Sequence, residues 1–430
     1  MINRILKNAS WIIVCRIVQS VIAFVIGMIS ARYLGPGNYG LISYSGSIVA
    51  FVVPIAQLGL RNILVEEIIT HPEREGQTLG TALVFSIVSG FLCVLGCTAF
   101  VAVVNAGERD TLIVCALYSI SLIFQMTEMI QYWYQAKLLS KYTSVISLAA
   151  YAAVALYKTF LLVTGKSVYW FAVSNSLDYC IISVFLFAVY KRLGTQKLSF
   201  SFPLGKRMLA RSRYYIIPTM MVTIFCQTDK IMLKMMVGNA ENGMYTAAST
   251  CACMSSFVFL AIIDSMRPVI FESRKTDKAA FERNMSVLYS VLLYCGLAQS
   301  LFFTALAGTV VSIVFGGAYL AAVPVLRVLA WQEIFSYLGT ARNIWVLAEE
   351  QQKYLWIINM SGAVLNVLGN YILIPYLGAV GAAIASVATQ FFANVVMCAL
   401  LRPIRPTMKL MWKALNPRLA YKKLVEFKNS

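Results

Sequence analysis

Apolar runs bounded by charge, Gly or Pro recur along the whole chain, near 11 to 31, 41 to 60, 79 to 104, 111 to 135, 143 to 164 and 168 to 190, then near 214 to 236, 243 to 266, 284 to 306, 321 to 347, 354 to 374 and 379 to 401. Each approaches or exceeds the roughly 20 residues that a helix needs to cross the hydrocarbon core. The pattern predicts an all-α integral membrane protein with twelve transmembrane helices and short connections. The run from 11 to 31 is too long for the apolar part of a cleavable signal, and no small-residue cleavage site precedes Arg32, so it is expected as the retained first span.

Polar positions then give orientation. Counted over alternate connections, one side of the membrane collects twenty-seven Lys and Arg residues, while the other has only Arg32, Arg109 and Lys166. Basic residues accumulate on the cytoplasmic side, so both termini are expected there. Seven basic residues between 191 and 213 divide the chain into an N-terminal lobe (1–190), a cytoplasmic basic linker (191–213), a C-terminal lobe (214–401) and a basic cytoplasmic tail (402–430).

The two six-span halves are alike. Leu34-Gly35-Pro36-Gly37-Asn38-Tyr39-Gly40-Leu41 matches Val237-Gly238-Asn239-Ala240-Glu241-Asn242-Gly243-Met244 with both outer glycines in register. Gly165 before Phe171-Ala172 corresponds to Gly378 before Ile384-Ala385. Such a parallel repeat predicts pseudo-symmetric lobes related by an axis along the membrane normal, with substrate between them near the midplane.

Composition narrows the chemistry. With 60% hydrophobic and 13% charged residues, a soluble globular domain would expose large apolar patches. The net charge of +18 follows from the inner-loop bias and does not indicate nucleic-acid binding, whereas the basic tail with Trp412 suits anionic headgroups. All ten cysteines lie in apolar runs and read as free thiols, and His71, the only histidine, sits in a polar loop. No catalytic, metal or cofactor site is expected.

Polar groups at membrane depth are costly and therefore informative. In the first span Arg16, Gln19, Ser20, Ala23, Gly27 and Ser30 share one helical face. Arg16 either snorkels to the headgroups or lines a cavity, where its guanidinium would suit a phosphate. Lys158 and Asp178 form a structural pair or act in transport. Pro218, Thr219, Thr223, Gln227, Asp229 and Lys230 mark a polar, interrupted seventh span; Asp229 fits either a protonation or cation site or an ion pair with Lys230 or Lys234. Arg327, Glu333 and Arg342 interrupt the tenth span, and Gln125, Glu128, Gln131 and Gln135 mark the fourth. Basic residues slightly outnumber acidic ones at depth, which favours an anionic cargo.

An ordered set of motifs resembles the polysaccharide transporter family, the bacterial O-antigen and oligosaccharide-lipid flippases, in the superfamily that also holds MATE-type exporters. It comprises Ala31 to Gly40, Leu58-Gly59-Leu60 with Glu66-Glu67, and Trp133-Tyr134-Gln135-Ala136-Lys137 with Lys141-Tyr142. It continues with Asp229 to Met232, Gly243 to Ala248, Phe315 to Tyr319, Asn366, Leu373-Ile374-Pro375 and Gly378 to Ala385. Glu66 departs from the family, where an arginine is common at that position.

The resemblance implies a MATE-like, two-lobed bundle with a central cationic cavity in the bacterial inner membrane. By alternating access it would carry a polyprenyl-diphosphate-linked oligosaccharide, an O-antigen or capsule repeat unit, to the outer leaflet. A polysaccharide polymerase, a chain-length regulator and membrane lipids would be its partners. The expected cavity residues are Arg16, Gln19, Lys158, Gln227, Asp229, Lys230, Arg327 and Arg342, with Asp178 and Asp229 as coupling positions. A cation-coupled MATE-like exporter would instead have an acidic pocket, and a membrane-embedded polymerase or ligase a substantial outer loop.

Overall fold

The computed structural model describes residues 2–194 and 196–417, with side chains from Cys15 onward apart from Arg16, Tyr214 and Pro218. The described residues are helical almost throughout, and the chain divides into two compact units, Met1–Gln227 and Thr228–Ser430.

The N-terminal unit is built from α1 (Ile2–Ala56), α2 (Leu60–Thr70), α3 (Glu75–Val104), α4 (Arg109–Ser119), α5 (Ser121–Thr127), α6 (Gln131–Ala136), α7 (Ser140–Val163), α8 (Val168–Leu193) and the first part of α9 (Phe202–Met236). Helix α1 is two helices joined at Gly35, whose φ of 70° and ψ of 170° fall in a region open essentially to glycine alone. Pro36 follows, with its fixed φ suited to a first helical turn. A left-handed pair, Leu58 and Gly59, then turns the chain into α2.

The linker is not a free tether. Gly76 and Gly80, one turn apart on α3, leave room for its backbone; a Cβ on either would stand 2.4 Å from the Lys197 or Ser199 carbonyl. Ser199 N–H donates to the Gly76 carbonyl and Ser201 N–H to Thr81 Oγ1. Leu204 and Met208 continue into the core formed by Leu64, Leu79, Trp133 and Tyr190. Buried Glu67 accepts from Arg74 (2.9 Å) and Arg207 (2.7 Å), with Arg211 at 3.4 Å, and Arg211 also donates to Glu66 at 2.6 Å. The hydrogen-bonded Glu66 carboxylate raises the Arg211 pKa above the ordinary arginine value. Glu66 therefore makes an ionic contact here, at the position where the resemblance implies an arginine.

The C-terminal unit continues with α10 (Asn239–Ala252), α11 (Ser256–Thr276), α12 (Lys278–Val314), α13 (Ala322–Ala348), α14 (Leu355–Phe391), a π-helical turn (Phe392–Val396), α15 (Met397–Leu400) and α16 (Arg405–Ala414). Gly238 (φ 122°, ψ 179°) starts α10 with the same kind of break as Gly35, as the repeat suggested. Gly378 (φ 55°) breaks α14, and Glu241 accepts the Ala379 N–H there at 2.8 Å. Gly165, the counterpart of Gly378, also has a positive φ of 67°. Phe259 and Tyr337 stack within the core of this unit with centroids 3.9 Å apart.

Among the described residues nine helical stretches are long and apolar enough to span a bilayer. Two of them, Ile17–Ala56 and Gln352–Leu400, are 40 and 49 residues long and contain the breaks at Gly35 and Gly378. Helix α13 is outside the nine because Arg327, Glu333 and Arg342 interrupt it. Large apolar side chains such as Val103, Val163 and Leu156 face outward, as lipid requires.

Candidate functional site

A cavity of about 370 Å³ lies within the N-terminal unit, lined among the described residues by Cys15 and Gln19 of α1, Arg61 of α2, Gln131, Tyr132 and Gln135 of α6, and Ser140, Thr143, Ser144 and Ser147 of α7. The hydroxyl residues recur at i, i+3, i+4 and i+7, so one face of α7 supplies them all. Thr143 and Ser144 both donate to the Ser140 carbonyl, at 2.8 and 3.0 Å, which leaves their oxygens as acceptors. The Arg61 guanidinium lies over the Tyr132 ring, 5.4 Å from its centroid. None of the described lining residues is acidic. One stacked guanidinium among amides and hydroxyls provides a planar fork for phosphate and many short-range partners for sugar hydroxyls.

The wall is fixed from behind. Trp133 meets Tyr190 edge-on with centroids 5.0 Å apart, and Tyr134 Oη donates to the Leu186 carbonyl at 2.7 Å. Lys137 pairs with the buried Glu75 at 2.6 Å. The Trp-Tyr-Gln-Ala-Lys motif thus anchors α6 with its aromatic residues and its lysine while Gln135 faces the cavity.

A second cluster lies in the same unit. Asp178 of α8 sits in the field of Lys158 of α7 and of Glu128, but no direct ion pair joins Asp178 to Lys158. Asp178 Oδ1 is buried and accepts no hydrogen bond.

In the C-terminal unit, Asp229 of α9 is 6% exposed and surrounded by neutral donors. Asn366 and Asn370 reach Oδ1 at 2.9 and 2.6 Å, and Tyr245 and Ser386 reach Oδ2 at 2.5 Å each. Asn370 also donates to Asn366 Oδ1 at 3.2 Å. The amides of α14, the phenol of α10 and the hydroxyl beyond Gly378 converge on a single carboxylate. Amide oxygen and nitrogen exchange by a half-turn, so this set can also present five or more oxygens to a small cation.

The other expected cavity residues are dispersed. Arg342 is 2% exposed in the core of the C-terminal unit, where Nη1 donates to the Ala393 carbonyl of the π turn at 3.1 Å and Nη2 to Asn343 at 2.8 Å. Its guanidinium steadies a helix irregularity. Arg327 is exposed on α13, Gln227 and Lys230 are half-buried on α9, and the Arg16 side chain lies outside the described residues. Arg61 and the α7 hydroxyls line the cavity without having been expected there.

Residues 5–274 match the family of polysaccharide biosynthesis proteins, more than half of the chain. The chain belongs to that family. No curated protein matches it in sequence. Among solved structures, this family member is similar to the lipid II flippase MurJ in an inward closed conformation (12% identity, 94% of this chain, 90% of that chain, TM-score 0.71). It is similar too to an inward-facing multidrug-resistance MATE transporter of the MOP superfamily (14% identity, 91% and 96% covered, TM-score 0.68) and to an outward-facing MATE transporter of that superfamily (15% identity, 94% and 96% covered, TM-score 0.59). At these identities the likeness establishes the fold: a multi-pass, MATE-like, all-α membrane protein of polysaccharide biosynthesis.

Proposed function

We propose that this protein is a flippase that moves a polyprenyl-diphosphate-linked oligosaccharide, an O-antigen or capsule repeat unit, from the cytoplasmic to the outer leaflet of a bacterial inner membrane. On this reading the chain crosses the bilayer twelve times with both termini inside: α1 and α14 each contribute two spans around their glycine breaks, and α13 crosses despite its charges. Substrate is handed across by alternating access without covalent chemistry.

The polar cavity of the N-terminal unit carries the reading. Moving a sugar through a bilayer requires that its hydroxyls and phosphates exchange water for protein partners. Arg61, Gln19, Gln131, Gln135 and the α7 hydroxyls are such partners, and the absence of acid among the described lining residues suits a diphosphate better than a cationic drug. Asp229 and Asp178 serve as coupling positions: the first has an oxygen-rich neutral surround, the second an unpartnered buried carboxylate oxygen.

Reconstituted proteoliposomes carrying a fluorescent lipid-linked diphosphate oligosaccharide test the proposal. Wild-type protein should render the label on one leaflet accessible to a quencher on the other. Failure to move this substrate, with efficient extrusion of an organic cation, would establish the exporter reading instead.

A further inference from the structure

Helix α16 divides sharply. Taking 100° per residue, Arg405, Lys409 and Lys413 fall within a sector of about 80°, with Trp412 20° beyond Arg405. All four are exposed. On the opposite side Thr407, Leu410, Met411 and Ala414 are buried, and Tyr289 of α12 shares a 2.5 Å hydrogen bond with Thr407. The helix is therefore pinned, and its basic face is held in a fixed direction.

One flank of that face borders an apolar groove of about 160 Å³. Met408, Trp412 and Leu415 form its outer lip, and Leu293, Leu338 and Phe391 belong to its wall. Trp412 is 61% exposed, so a large indole stands between the groove and the adjacent Arg405 and Lys409. An indole in that setting is what a membrane interface selects.

We infer that α16 and the groove beside it form a binding site for one anionic phospholipid. An acyl chain lies along the groove past Trp412, and the phosphate rests on Arg405 and Lys409. The basic face supplies the charge complementarity, and the groove explains why the occupant has a tail. A water-soluble phosphate would leave the apolar wall uncovered, and a zwitterionic lipid would gain less from the two cations.

Native mass spectrometry of the full chain in detergent, with phosphatidylglycerol or phosphatidylcholine added, tests the site. Wild-type protein should retain one phosphatidylglycerol in clear preference to phosphatidylcholine. The double substitution Arg405→Gln with Lys409→Gln should lower phosphatidylglycerol retention about twenty-five-fold, about fivefold per charge. It should leave phosphatidylcholine retention unchanged. Leu415→Trp, which fills the groove from an exposed position, should lower retention of both lipids. Equal retention of the two lipids by wild-type protein, or an unchanged preference in the double variant, would overturn the inference. So would loss of the bound phosphatidylglycerol on addition of an equal amount of prenyl diphosphate, since binding of that lipid in the transport cavity alone would leave phosphatidylglycerol in place.

Discussion

Asn370 donates to Asp229 at 2.6 Å across 141 residues of sequence, which ties the part of α14 before the Gly378 break to α9. Asn366, one turn earlier, reaches the same oxygen at 2.9 Å. The donors around this carboxylate are neutral, and rotation of the two amides would turn their oxygens toward a cation bound there. Sodium at a hundred times its dissociation constant should therefore stabilise the protein by about 2.7 kcal/mol. Asp229→Asn should abolish that response. Thermal unfolding in sodium against choline measures it, and identical midpoints in the wild type would remove Asp229 as a sodium site.

Arg61 is stacked on Tyr132 as well as charged, so its replacement by lysine should not restore function fully. Arg61→Ala is expected to slow flipping at least tenfold with normal abundance in the membrane. Arg61→Lys should recover only part of the rate, because a point charge lacks the planar fork. Equal rates in wild type and Arg61→Ala would take the cavity out of the transport path.

Gly35 and Gly238 have open space where a Cβ would stand, so alanine there would suffer from backbone conformation alone. Each substitution should cost about 1–3 kcal/mol. Gly37→Ala, equally uncrowded and without a positive φ, should be tolerated. Unfolding midpoints of the three variants give the comparison, and a harmless Gly35→Ala would disprove the required backbone region.

Glu67 gathers arginines from the turn after α2 and from the start of α9. Glu67→Gln keeps the shape but removes the charge, and should weaken the attachment of α9 by about 1–3 kcal/mol. Faster hydrogen exchange over residues 202–213, with exchange in α12 unchanged, is the expected signature. An unaltered exchange pattern would show that the glycine and hydroxyl contacts of the linker suffice.

Much of this organisation was legible along the chain, because membrane helices announce themselves by length and apolarity. The pairing of Gly35 with Gly238 reappears as two backbone breaks of one kind. The hydroxyls Ser140, Thr143, Ser144 and Ser147 were also readable by helical spacing, but they lie next to a basic loop, where polar residues attract little notice. Arg342 shows the opposite limit. Sequence gives its cost at membrane depth, yet only the π turn reveals that its Nη1 serves the Ala393 carbonyl. The surround of Asp229 was illegible for another reason: three of its four donors come from 137 to 157 residues further on, and spacing along one helix cannot name a partner on another.

The linker packed on α3 bears on how the protein is made. Ser212 Oγ donates to the Leu58 carbonyl at 2.7 Å, and its own carbonyl closes over Gly59, so the seam along α2 and α3 closes only once about 212 residues have left the ribosome. A gene divided near Gly194 would yield a first fragment with an open seam along α2 and α3, a substrate for quality-control proteases. Divided at Gly238, the same gene would instead close that seam but leave Asp229 of α9 without its Tyr245, Asn366, Asn370 and Ser386 donors.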